Sequence, residues 1–267
     1  MIKSNHLLVP GTLAVLFAFS VFVSAAPAVP SDRVQALADA QAGRWEQAEP
    51  ALATLAAAMP TDVEACALLA RRRLQQQRSK EAVELLERAV AAQPDRAELQ
   101  SQLGTALSQR IGEVSFVHQA MISGKMRAAF EKSLALDPNH VPGLVGLARY
   151  YTNAPAIAGG SLEKAEEYAR EVEKRDAFGG AFEMGLIREH GEKWAEAAAY
   201  YRQAVALRTD QAWLHAMLGR MLARAGQREE ARAAFETALK LQPDLATARD
   251  GLAALTPTAS ESVPSGS

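Results

Sequence analysis

The sequence has a single cysteine, Cys66, in 267 residues. One thiol closes no internal disulfide and completes no metal cluster, so the fold has to rest on packing alone. Aromatic residues make up only 6% of the chain. With alanine dominating the middle, this composition favours closely packed helices over strands. Neither sign of charge prevails: 29 Lys+Arg stand against 31 Asp+Glu, for a formal net charge of −2. That balance argues against a general nucleic-acid binder, which needs a basic face to neutralise phosphates. The five histidines, His6, His118, His140, His190 and His215, show no metal-ligand spacing. His140 follows Asp137-Pro138-Asn139 and reads as a structural turn residue.

Catalytic patterns are also missing. Ser161-Leu162-Glu163-Lys164 has the Ser-x-x-Lys spacing of penicillin-recognising enzymes, but the Ser-Asp-Asn and Lys-Thr-Gly motifs are absent. Ser161 follows two glycines and opens a predicted helix, so it reads as a helix cap. Gly124-Lys125 lacks the earlier glycine, the following Ser/Thr and the preceding strand of a phosphate loop. Cys66 sits beside Leu69 on a predicted helix and reads as a small buried apolar residue. Arg71-Arg72-Arg73 with Arg78 reads mostly as solvated surface. These readings predict a chain that is not an enzyme and needs no cofactor.

A long apolar run occurs at the start. Leu7 to Val23 is an uncharged, mostly apolar stretch of 17 residues behind Lys3, and Val23-Ser24-Ala25-Ala26-Pro27 supplies small side chains for cleavage. Residues 1–25 are therefore expected to be a signal peptide, cut after Ala25, with a cut after Ala28 as the alternative. No cysteine follows the run, which excludes a bacterial lipoprotein. The expected destination is an exported compartment, the periplasm if the host is a Gram-negative bacterium. An uncleaved anchor is the other reading. The run lies near the lower length limit for a span, and Pro10-Gly11 interrupts it.

What the sequence does contain is a repeat. Pro60 and Pro94 are 34 residues apart, as are Thr209 and Pro243, and Pro138 follows Pro94 after 44. With 34 as the period, units begin at Val29, Val63, Ala97, Val141, Phe178 and Ala212. The eighth position holds Ala36, Ala70, Gly104, Ala148, Gly185 and Gly219, all small. The twentieth holds Ala48, Ala82, Met126, Ala165, Ala197 and Ala231. The twenty-fourth holds Leu52, Leu86, Phe130, Tyr201 and Phe235. Small residues let two antiparallel helices approach, a large one fills the space between them, and proline stops the second helix. Gly43, Gly191 and Gly226 fall at the turns within pairs, where a positive φ suits glycine.

This pattern resembles the tetratricopeptide repeat family, with Leu218-Gly219, Leu222, Gly226, Ala231, Phe235, Ala238 and Pro243 as its best unit. The resemblance implies an all-α, right-handed solenoid of about six helix-turn-helix units over residues 26–255. Leu245 to Leu255 is its closing helix, and the Ser/Thr/Pro/Gly-rich residues 256–267 are an expected disordered tail. Two insertions, at about 108–125 and 152–161, fall in the same kind of turn in consecutive units and are expected to touch as one elaborated corner. The Ala-Pro-x-Ile-Ala-Gly-Gly-Ser run of the second, followed by Lys164-Ala165, is similar to one in exported bacterial proteins of this family.

In the family, the first helix of each pair lines a concave binding face. Mapping those positions gives a row of arginines, Arg71, Arg149 and Arg220, flanked by Phe182 and Trp213. Such a row suits an extended peptide with an acidic group or carboxyl end. Arginines that merely keep the groove soluble, with Trp213 packed on the preceding unit, are the alternative. The expected function is a protein-interaction scaffold or assembly chaperone that binds a partner protein or peptide. A ligand carrier or enzyme with a site between the insertions, and a membrane-tethered subunit of an envelope complex, are the other readings.

Overall fold

The computed structural model describes residues 31–255. The expected signal segment and the expected tail lie outside the described residues. Six antiparallel helix pairs follow one another: α1 (Ser31–Gln41) with α2 (Trp45–Ala58), α3 (Val63–Gln75) with α4 (Ser79–Ala92), and α5 (Ala97–Arg110) with α6 (Phe116–Leu136). Then come α7 (Val141–Asn153) with α8 (Leu162–Glu173), α9 (Ala177–His190) with α10 (Trp194–Leu207), and α11 (Ala212–Arg224) with α12 (Arg228–Leu241). A single helix, α13 (Ala246–Leu255), closes the stack against α11 and α12. This is an all-α repeat solenoid, as the period predicts. Among the described residues no strand occurs and no helix is long and apolar enough to cross a membrane.

Each helix stops where its sequence requires. Pro60, Pro94, Pro138 and Pro243 lie in the turns between pairs, where a missing N–H costs nothing. Asp62 caps α3 by accepting the Ala65 N–H at 3.1 Å, and the Ser161 hydroxyl accepts the Lys164 N–H at the start of α8. The Ser-x-x-Lys serine is thus a cap. Cys66 is fully buried, its Sγ 3.7 Å from the Pro60 carbonyl oxygen, and burial pushes its thiol pKa up, which makes it an inert core residue.

The pairs are held together by size matching. In the third, fifth and sixth units, Gly104, Gly185 and Gly219 meet the rings of Phe130, Tyr201 and Phe235. A Cβ at these glycines would lie 2.6, 2.7 and 2.8 Å from the ring carbons. In the first two units the buried small residue is alanine, Ala36 or Ala70, and the buried large one is leucine, Leu52 or Leu86. In these five units a ring at position twenty-four goes with glycine at position eight and a leucine with alanine, whereas the fourth pair has alanine at both, Ala148 and Ala169. The next unit contributes to the same contact: Gly146 abuts Phe130 and Gly251 abuts Phe235, so those two rings are gripped from both sides.

Two expectations about turns change. The ten extra residues of the third unit are mainly helix. α5 runs to Arg110, a 3₁₀ turn spans Ile111–Glu113, and α6 has 21 residues where α4 and α12 have 14. Ile122 and Met126, one helical turn apart, are buried in one cluster with Leu107, Tyr150 and Tyr151, and that burial favours helix over loop. Within the fifth unit the left-handed residue is not Gly191, which has φ −79°, but Glu192, with φ +57°. The left-handed position falls two residues before the second helix, as at Gly43 and Gly226, and Gly191 stands one place too early.

A non-glycine residue pays a steric cost in that region. Glu192→Gly is therefore expected to raise stability by up to about 1 kcal/mol. Gly226→Ala should lower it by about as much, both read from urea unfolding midpoints.

Candidate functional site

Successive odd-numbered helices touch one another, α1 to α3, α3 to α5, α5 to α7 and α7 to α9, whereas contacts between successive even-numbered helices are sparse. The odd helices therefore line the inside of the bend. Their exposed side chains form the candidate face.

Charges on this face are largely matched between neighbouring repeats. Arg149 on α7 binds the carboxylate of Glu183 on α9 in a forked geometry, with Nε 2.9 Å and Nη2 2.6 Å from Oε1. The Glu183 side chain is 4% exposed and that of Arg149 52%. Burial pushes the Glu183 carboxyl above its usual range even with Arg149 pulling the other way. Arg220 on α11 donates from Nη2 to Glu189 on α9 at 2.7 Å, and the same carboxylate accepts the Tyr201 hydroxyl at 2.9 Å. At the other end, Arg33 on α1 holds Asp62. Arg71 has no carboxylate partner among the described residues. Its guanidinium lies 5.6 Å from the centre of the Trp45 ring. Two of the three arginines in the predicted row are thus already paired, and the expectation of a free cationic row narrows to Arg71.

The predicted aromatics do come together. Phe178 and Phe182, one turn apart on α9, stack with centroids 6.1 Å apart. The Trp213 ring at the head of α11 stands edge-on to Phe182 at 5.5 Å. Trp213 packs on the preceding unit and still leaves 40% of itself exposed. Its indole N–H donates to the Gln211 side-chain carbonyl at 3.1 Å. Arg208, at the end of α10, lies with its guanidinium carbon 3.8 Å from the centre of the Phe178 ring. The sequence reading missed Phe178 and Arg208. Their spacing to Phe182 carries the helical signal for Phe178, but Arg208 reaches the ring only through the turn between units.

The arginine run is also more engaged than a solvated surface would be. Arg73 is buried and bridges Glu49 on α2 and Glu81 on α4, while Arg72 binds Glu49 and lies over Trp45. Consecutive residues on a helix are turned about 100° from each other, so three arginines in a row spread over more than half the helix, and here Arg73 faces the core. Burial raises the Glu49 carboxyl, but hydrogen bonds from Arg73, Arg72 and Gln76 outweigh it and hold the group down to about 2. An equivalent clamp recurs later, where Arg188 bridges Glu166 on α8 and Glu196 on α10.

Arg127 of α6, two residues beyond the first insertion, reaches toward the second. Its guanidinium carbon lies 5.9 Å from the Tyr150 ring centre, and the Tyr150 hydroxyl donates to the Ala158 carbonyl in the second insertion at 2.7 Å. Further bonds, Ser161 N–H to the Tyr151 carbonyl and Gly160 N–H to that of Pro155, fix the loop. On it, Ile157 is 99% exposed. A cleft of about 240 Å³ lies beside α6 and is lined by Val83, Leu107, Met121 and Ile122 among others. That is below the roughly 300–1,000 Å³ of ordinary small-molecule sites.

Removing Arg149 strands a buried carboxylate. Because the folded pKa of Glu183 lies above its unfolded value, the stability it contributes is lost as pH rises through the folded pKa. Arg149→Met is expected to cost about 3 kcal/mol at pH 8 and distinctly less at pH 5. Adding Glu183→Gln should recover part of the loss at pH 8, measured by urea unfolding at both pH values.

Comparison with known proteins agrees with this architecture. Residues 39–105 match one tetratricopeptide repeat model and residues 212–245 match another. No curated protein matches the sequence. Among solved structures, PilW, a widely conserved type IV pilus biogenesis factor, aligns with a TM-score of 0.67 at 16% identity over 83% of this chain and 96% of its own. The Pseudomonas aeruginosa pilF protein aligns with a TM-score of 0.58 at 17% identity over 84% and 96%. A thermophilic repeat protein of Thermus thermophilus gives 0.58 at 19% identity over 72% and 98%. At these identities the likeness is one of fold.

Proposed function

We propose that this chain, which belongs to the tetratricopeptide repeat family, is a non-catalytic interaction scaffold or assembly chaperone that binds an extended segment of a partner protein along its inner face. The observation that carries this reading is the half-exposed Trp213, seated on Phe182, which in turn stacks on Phe178, where successive units meet. Rigid aromatic side chains on a preformed surface are the usual anchors of a protein interface. Stacked helix pairs hold them in place before a partner arrives, which lowers the entropy lost on binding. Arg71, Arg149 and Arg220 contribute hydrogen-bond donors along the same face. Arg149 and Arg220 do so while paired with Glu183 and Glu189.

The reading includes location. The apolar run Leu7–Val23 and the small residues after it support export and cleavage after Ala25, with the periplasm as the destination in a Gram-negative host. The mass of the protein recovered from cells checks this. Retention of the run would instead favour a membrane-tethered subunit of an envelope complex.

Selection of a displayed random-peptide library on the full chain tests the groove. Bound peptides are expected, and Trp213→Ala, measured below its own melting temperature with the helical content intact, should weaken them at least tenfold. Failure to enrich any peptide, or enrichment indifferent to Trp213→Ala and Arg71→Ala, would contradict the reading.

The corner supports a second contact. Ile157 is fully exposed on a loop held by backbone hydrogen bonds, which puts a rigid apolar side chain where a partner would cover it. Once a partner protein is in hand, Ile157→Asp is expected to weaken its capture without lowering thermal stability. Unchanged capture would restrict binding to the inner face.

A further inference from the structure

The geometry points to a proline-rich segment, in polyproline II conformation, as what the Phe178–Phe182–Trp213 ladder takes. This rests on the scaffold reading above and specifies its ligand.

Four observations lead there. First, the ring centres are 6.1 and 5.5 Å apart. A polyproline II helix advances about 6 Å in two residues, so residues two apart along it match the spacing of successive rings. Second, the ladder is flanked by a donor. Arg208 lies against Phe178 and has no carboxylate partner among the described residues. A proline-rich segment has carbonyl acceptors and few N–H donors, which suits a site that offers a guanidinium.

Third, the surroundings do not favour an acidic ligand. Arg149 and Arg220 already hold Glu183 and Glu189, and Asp176 and Asp210 stand at the heads of α9 and α11 beside the ladder. An acidic peptide would meet these carboxylates, with Arg208 as an unpaired cation among the described residues. A neutral proline-rich segment meets no such opposition. Fourth, the rings are pre-set. Phe182 is wedged between Phe178 and Trp213 and also packs on the buried Tyr201 ring, 5.9 Å between centres, while Gln211 fixes the indole N–H. A stiff ligand on a stiff surface loses little conformational freedom on binding.

The test uses the full chain and three synthetic peptides of equal length: decaproline, a Gly/Ser peptide and a Glu-containing Gly/Ser peptide. The readout is the Trp213 indole N–H resonance, assigned by its loss in Trp213→Phe. Decaproline is expected to shift it saturably, and the other two peptides to leave it in place. Arg208→Ala, a change at an exposed residue, should weaken decaproline several-fold, and Trp213→Ala at least tenfold as read from remaining backbone amides of α9. Saturation by the Glu-containing peptide, or no saturable shift by decaproline at millimolar concentration, would overturn the proposal. If library-selected peptides lack proline yet need Trp213, this proposal fails while the scaffold reading stands. If no peptide is selected at all, the scaffold reading itself has failed.

Discussion

Everything in this molecule depends on how closely two antiparallel helices approach within a unit, and that distance is set by one pair of residues. Glycine at position eight lets Phe130, Tyr201 and Phe235 lie flat in the gap. Where the gap is filled by Leu52 or Leu86 instead, alanine suffices. Interiors are packed to near-crystalline density, so a mismatch of one methyl group has to be taken up by movement of a helix or by strain. Gly146 and Gly251 extend the same fit to the following unit, so the spacing within a pair and the spacing between pairs are fixed by shared rings.

From that spacing the rest follows. With the pairs in register, cations of one unit meet acids of its neighbour: Arg149 meets Glu183, Arg220 meets Glu189, and the Arg73 and Arg188 clamps each tie three helices. The Arg149 and Arg220 pairs offset charge on the inner face, where the aromatic ladder is a distinctive feature. In a solenoid each unit is stabilised mainly by its neighbours. A lesion at one ring should therefore disturb the adjoining units and the inner face they share.

Much of the fold was legible in the sequence because the small residues and prolines recur in register, and only a stacked pair of helices needs small side chains at both position eight and position twenty. Less of the site was. Phe182 and Trp213 were found from their places on the inner helices, and they do meet. The arginines were found but not their partners. Glu183 lies 34 residues beyond Arg149, one full period, so a search for opposite charges separated by the repeat length would have exposed the pair. The helical extension of α6 was hidden because its apolar spacing makes sense only once Leu107, Tyr150 and Tyr151 are in place to receive Ile122 and Met126. The left-handed Glu192 was hidden by an adjacent glycine that suggested the wrong residue.

The size match is tested most directly by a double-mutant cycle on Gly219 and Phe235, with unfolding free energy as the readout. A Cβ at position 219 would lie 2.8 Å from the Phe235 ring. Gly219→Ala alone is predicted to cost about 1–3 kcal/mol. In a Phe235→Leu background, which recreates the alanine–leucine pair of the first two units, the same change should cost little. That gives a coupling of about 1 kcal/mol or more. Additive effects of the two substitutions would mean that the glycine and the ring do not set each other's size, and would contradict the account.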